Sequence, residues 1–242
     1  MATAAFWGFI GGSALLVGAA AGYYAHLSSR LVGLIMGFGA GVLISALAFD
    51  LTREAYTRGG GDAVAIGLVT GGLTFFAGDW IIDRHGGEHR KRSGGQQAGG
   101  AATAIVLGAL LDGIPESAAI GVSLVEGKGI GIAFVAAVFL SNVPEAASAA
   151  TGMKKAERSA TYVFGLWLAV LAISTLAAAI GYAALGGADA NVVAIVQAFA
   201  AGAILTMLAD TMMPEAFEHS GSLVGLVTLA GFATAFLLST VE

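Results

Sequence analysis

Each of the three prolines in this 242-residue chain is followed by glutamate: Pro115-Glu116, Pro144-Glu145 and Pro214-Glu215. All three pairs stand in long apolar stretches, where proline removes a helix hydrogen bond and a carboxylate is costly to bury. A bilayer-embedded chain accommodates that combination where interrupted helices line a polar cavity, most simply a cation site. Two of the pairs carry further oxygen donors at helical spacing. Asp112 and Glu116 are four residues apart and share a helix face; so do Ser141 and Glu145, and Asn142 stands three before Glu145. Pro115 cannot donate to the Leu111 carbonyl, nor Pro144 to that of Leu140, so each carbonyl is free to accept from water or help coordinate a cation.

The elements that must position these residues are transmembrane helices. Apolar residues make up 57% of the chain and charged residues 11%, against about 25% charged in a soluble domain, and mean hydropathy is +0.85. Spans of about 20 residues cross a bilayer core. The sequence predicts an all-α integral membrane protein of about eight such helices: 5–25, 31–55, 63–82, 101–124, 128–151, 161–184, 191–215 and 222–240. The first reads as a spanning helix and not a cleaved signal, and residues 1–242 read as one membrane domain. Connections such as TRGGGD (57–62) are short; the exception is 83–100, a Gly-rich basic loop. With the N-terminus outside, inner connections hold Arg30, Arg84, Arg90, Lys91, Arg92, Lys154, Lys155 and Arg158, and outer ones only Arg53, Arg58 and Lys128. That asymmetry predicts a plasma (inner) membrane protein with both termini extracytoplasmic and the long loop cytoplasmic.

Two internal repeats appear. GFGAGVLISALAFDLTREAY (37–56) aligns without gaps on AFAAGAILTMLADTMMPEAF (198–217), matching Gly41 with Gly202 and Glu54 with Glu215 and setting Asp50 one position from Asp210. LLDGIPESAA (110–119) aligns on FLSNVPEAAS (139–148), Pro115 on Pro144 and Glu116 on Glu145. The eight-span reading relates span 2 to span 7 and span 4 to span 5, each pair running in opposite directions. Inverted repeats with a midplane site on interrupted helices are a transporter architecture. Under that symmetry the faces of spans 4 and 5 converge on one oxygen cage: Asp112, Glu116, Asn142 and Glu145, with Ser141 as a weaker candidate. Three carboxylates in one low-dielectric pocket cannot all stay ionised without a cation or protons, and no Lys or Arg falls in the core of either span. A divalent metal answers that requirement.

The motifs DGIPES (112–117), SNVPEA (141–146) and MMPEA (212–216) resemble the ZIP (Zrt/Irt-like) divalent metal transporters over nearly the whole chain. The resemblance implies that Glu116 and Glu145 are the core metal-binding acids. Asp112 stands where that family usually has histidine, Gly113 where it often has asparagine, Ser141 at a frequent His or Gln position, and Asn142 at its usual Asn/Asp. Without imidazole or thiolate the site is all oxygen, a set that suits hard ions while admitting zinc or iron. Span 6 offers Ser174 and Thr175 but no carboxylate to bridge a second metal, so one tight site is expected.

Acids near the ends of spans 2 and 7 mark the mouths of a pathway: Asp50 and Glu54 outside, and Asp210, Glu215 and His219 inside, with Glu218 read as an ordinary interfacial charge. His85, Glu88 and His89 in the basic loop offer a loose metal contact, and Asp79 and Asp83 are expected to meet Arg84 or solvent. The expected activity is transport of divalent transition-metal cations (zinc, iron or manganese class) toward the cytoplasm, the metal being cargo. Two alternatives are a non-transporting, metal-sensing relative and a proton-linked carrier for another cation. No nucleophile–base pair, phosphate loop or cofactor motif suggests an enzyme, and the partners are the lipid bilayer and metal ions, with no nucleic acid. Gly-rich helix faces also permit a homodimer.

Overall fold

A computed structural model describes residues 1–25, 27–87, 102–125 and 132–239; the side chains of 86–87, 102–106 and 133 are not described. The regular structure there is entirely helical: α1 (Ala2–Tyr24), α2 (Ser29–Ala46), π1 (Leu47–Thr52), α3 (Arg53–Ile82), π2 (Asp83–Gly87), α4 (Ala102–Ser123), α5 (Ile132–Lys155), α6 (Ala160–Leu185), α7 (Ala190–Met207), π3 (Leu208–Met212), α8 (Met213–Ser220) and α9 (Leu223–Ser239). The chain is therefore an all-helical, multi-pass membrane protein. Among the described residues five helical stretches are long and apolar enough to cross a bilayer: Ala2–Tyr24, Ser29–His85, Phe134–Lys155, Ala160–Leu185 and Ala190–Ser220. Leu223–Ser239 is apolar but shorter, and the expected eight spans are not all counted by that measure.

The largest departure from the predicted elements is at 57–62. Instead of a six-residue connection, helical structure runs on through both sides of this stretch, and one residue, Gly60 (φ 72°, ψ −172°), leaves the helical region. Only a residue without Cβ adopts that conformation cheaply, so a single glycine divides Ser29–His85 where a loop was expected. Of the basic loop at 83–100, Asp83–Gly87 prolongs α3 as a wide turn, and 88–100, with Glu88 and His89, lie outside the described residues. Helices α4 and α5 continue through Pro115 and Pro144. Ser28, Ser159 and Asp189 cap α2, α6 and α7 by accepting from backbone N–H groups, which fixes where those helices begin.

Packing follows the repeat. In space α2 lies against α9, and α3 against α7. Gly41 of α2 abuts the Thr228 carbonyl of α9, and its aligned residue Gly202 of α7 abuts the Leu68 carbonyl of α3. The contacts are returned: Gly231 meets the Phe38 carbonyl and Gly71 meets that of Phe199, and Phe38 and Phe199 are themselves aligned. None of the four sites has room for a side chain, which is how small residues bring membrane helices together. The extended turns π1 and π3 begin at aligned residues, Leu47 and Leu208.

The repeated segments are also antiparallel. Ser220 donates to the Arg30 carbonyl (2.7 Å), Gly33 faces Ala216 and His219, Gly39 faces Met212, and Glu54 meets Gln197. Partner numbers fall as position along α2 rises, as an inverted repeat requires. The apolar core between the repeats joins Leu43, Leu51, Phe75, Ile120, Val138, Ile204 and Leu208. Helices α4 and α5 enter this frame differently: α4 packs on α6 and α7, α5 on α1 and α2.

Candidate metal pathway

The five residues expected at the central site are all buried: Asp112 (2% exposed), Glu116 (1%), Ser141 (1%), Asn142 (5%) and Glu145 (7%). Burying three carboxylates at this level is costly unless their charge is balanced. Gly11 of α1 lies against both α4 and α5. Asn142 Nδ2 approaches the Gly11 carbonyl at 3.5 Å, and a Cβ on Gly11 would lie 3.0 Å from Ile120, one turn beyond Glu116. Direct contact between α4 and α5 is slight, and among the described residues no three His, Asp or Glu side chains gather as a ready-made metal cluster.

On the α5 side, Ser141 donates to the Val138 carbonyl (2.9 Å), turning its hydroxyl hydrogen toward its own helix. The Leu140 carbonyl, which Pro144 deprives of its helical donor, faces Gly39 of α2; a Cβ there would stand 3.2 Å from that oxygen and 3.1 Å from the Ser141 Cα. On the α4 side, Gly113 leaves room that Ser174 of α6 fills, since a Cβ at 113 would lie 3.1 Å from Ser174 Oγ. That buried hydroxyl has no hydrogen-bond partner among the described residues, whereas Thr175 donates to its own helix at Leu171.

The expected mouths divide into two built ends. At one, Arg58 Nη2 stands 2.6 Å from Glu54 Oε1, and Gln197 of α7 donates to Glu54 Oε2 at 2.6 Å. At the other, Ser148 of α5 donates to Glu215 Oε1, and His219 Nδ1 lies 4.0 Å from the same oxygen. Gln197 and Glu215 are eighteen residues apart on α7, π3 and α8, which at about 1.5 Å per residue sets the ends about 27 Å apart, close to a bilayer core. Glu215 is buried and is tied to α5 one turn beyond Glu145, so this end reaches toward the central layer. Asp50 and Asp210 lie in π1 and π3, and Asp210 is exposed and within electrostatic reach of Asp79 on α3. Arg84 stacks over Trp80 (3.7 Å), and exposed His85 has Nδ1 2.7 Å from the Ile81 carbonyl.

Gln197 and Ser148 were not among the expected site residues. Gln197 had a readable signal, a long polar side chain in the apolar run NVVAIVQAFAAG, where such a residue must find a partner. Ser148 had none, being one small hydroxyl residue in an Ala-rich stretch.

No family model matches the chain. A curated protein of Arabidopsis thaliana, named "Putative zinc transporter", is 27% identical to it over 229 residues, covering 93% of this chain and 36% of that protein. The chain thus spans about a third of the length of the curated relative it matches.

Proposed function

We propose that this chain carries divalent transition-metal cations, of the zinc, iron or manganese class, across a bacterial-type inner membrane toward the cytoplasm, with both termini outside. The single observation that carries the reading is the set of acids Asp112, Glu116 and Glu145, all buried on the two apolar helices α4 and α5. The cation supplies the charge balance those acids need, with Asn142 and Ser141 adding neutral oxygens. Gly11 lies against both α4 and α5, and an ion bound by both motifs would draw the two helices together. Glu54 and Asp50 would lie toward the outer mouth, and Asp210, Glu215 and His219 toward the inner one. Similarity to a protein named as a zinc transporter supports the cargo class, and the resemblance of the Pro-Glu motifs to the ZIP transporters supports the placing of the site.

The test is uptake of Mn²⁺, Zn²⁺ and Fe²⁺ into proteoliposomes by the parent, Glu116→Ala and Glu145→Ala. Saturable uptake lost in both variants is the expected result. Binding without uptake in the parent would replace the carrier by a metal sensor, and undiminished uptake in both variants would move the site elsewhere.

A further inference from the structure

Helices α1 and α5 end, and α6 begins, at one edge of the bundle, and the 154–158 turn there is built into a basic platform. Gly22 abuts the Ala147 carbonyl with no room for a side chain, and Thr151 donates to the Gly22 carbonyl (3.0 Å), which locks α1 to α5. Lys154 donates to the Tyr23 carbonyl and the Tyr23 hydroxyl donates to the Arg158 carbonyl (3.2 Å), tying the turn to α1. Tyr24, 62% exposed, stacks on Phe164 of α6 with ring centres 5.9 Å apart, so an aromatic face adjoins the turn. Lys154 serves this frame, but the other two cations are not answered by the protein. Arg158 meets the Tyr162 ring (5.5 Å from its centre), and among the described residues its buried Nε and the buried Tyr162 hydroxyl have no hydrogen-bond partner. Lys155 is exposed, and neither it nor Arg158 has an ion pair among the described residues. Glu157 is the one acid between Glu145 and Asp189 in the sequence, and it is exposed on a left-handed backbone (φ 59°). Three cations against one acid leave this turn positive on a chain whose net charge is −5.

We propose that Arg158, Lys155 and Tyr162 form a binding site for the phosphate of an anionic phospholipid. Lipid phosphates lie at the level where spans end, and basic pockets between membrane helices take anionic headgroups there. A guanidinium holds a phosphate through parallel N–H bonds, and a buried hydroxyl without an acceptor is costly until one arrives. A phosphate oxygen entering beside Arg158 answers both groups, while Lys155 meets the lipid's charge from the solvent side. The occupant is a lipid and not free phosphate because the cations stand beside the exposed face of Tyr24, an amphipathic ring of the kind that lies at headgroup level and can cover the glycerol and first acyl carbons. A lipid seated there touches the ends of three helices at once, so it binds the folded bundle and stabilises it. The site is separate from Asp112, Glu116 and Glu145 and does not rest on the transport reading.

The full chain is purified in an uncharged detergent and titrated with phosphatidylglycerol, phosphatidylcholine or inorganic phosphate. Retained lipid is read by native mass spectrometry and stabilisation by thermal melting. Phosphatidylglycerol should be retained and raise the melting temperature, and the other two should not. Arg158→Gln should weaken phosphatidylglycerol binding about tenfold, the usual worth of a charge-assisted bond. Tyr162→Phe, which changes no charge, should weaken it about fivefold. Arg53→Gln removes the same charge from an exposed residue of α3 and should leave binding as in the parent. Melting without lipid identifies a variant that fails to fold, and Tyr162→Phe decides the matter if Arg158→Gln does. No retention of phosphatidylglycerol by the parent, equal binding by the parent and the folded site variants, or equal loss in Arg53→Gln overturns the proposal. Phosphate binding that matches the lipid's overturns it too, by making the turn a site for soluble anions.

Discussion

The middle of the molecule and its Glu54 end both place carboxylates among helices, and they differ in the basic residues those helices carry. At the Glu54 end the fold supplies the counter-charge itself, Arg58 on one oxygen and Gln197 on the other. In the middle, Asp112, Glu116 and Glu145 are more deeply buried, and their helices carry no basic residue near that level; the nearest on α5 are Lys154 and Lys155, in its last turn. Lys154 is committed there, donating to the Tyr23 carbonyl at 2.5 Å. At the Glu54 end the chain itself supplies the partners; for the central acids the proposed cargo would add counter-charge. Under the proposed function the same residue type would serve as a tie in one region and as a receptor in the other.

Breaking the receptor should cost most. Glu116→Ala and Glu145→Ala are expected to lower metal affinity by more than the about 10–100-fold that loss of an outer-shell partner costs a metal site, measured by equilibrium dialysis of Mn²⁺ and Zn²⁺. Under the proposed function, melting temperature should change far less than affinity. A large fall in melting temperature with binding retained would assign these acids to the tie class and erase the contrast. Next in size is the frame that brings the regions together. Gly41→Val would force a side chain onto the Thr228 carbonyl and is expected to cost about 3 kcal/mol or more, read as loss of folded yield. The aligned Gly202→Val should do the same, and tolerance of one but not the other would break the equivalence of the repeats.

Gln197→Leu leaves Glu54 one bond short in a buried seam and is expected to cost about 1–3 kcal/mol of stability, with ion affinity unchanged. Smallest is Ser141→Ala. Its hydroxyl hydrogen is already given to the Val138 carbonyl, so the loss should be near 1 kcal/mol in stability and only a few-fold in affinity. A hundredfold loss of affinity there would promote Ser141 to a principal ligand.

The buried central acids were more legible in the sequence than the Glu54 tie. Proline and acid together in an apolar run are rare, so Pro115-Glu116 and Pro144-Glu145 stand out, and their burial follows from the helices around them. The repeat relation of α2 to α7 was legible too, because Gly41 and Gly202 are each held to small size by the carbonyl of a neighbouring helix. The Glu54 tie was not. Arg58 reads as a charge in a connection, since nothing local shows that the helix continues past it to Gly60. Gln197 is distant in sequence from Glu54, and their bond depends on how α3 crosses α7. The widened turns at Leu47 and Leu208 leave no compositional trace, because the pattern of apolar residues is the same whether a carbonyl waits four or five residues for its donor.

Those turns carry a mechanical consequence. A π-turn holds one residue more than an α-turn, so each repeat stores a surplus residue between its membrane half and its terminal acid. Absorbing that residue into regular helix would rotate everything beyond it by about 100° and shift it by about 1.5 Å, at the cost of exchanging a few backbone hydrogen bonds. Glu54 and Glu215 stand just past π1 and π3, so such a change would alter the direction each acid faces.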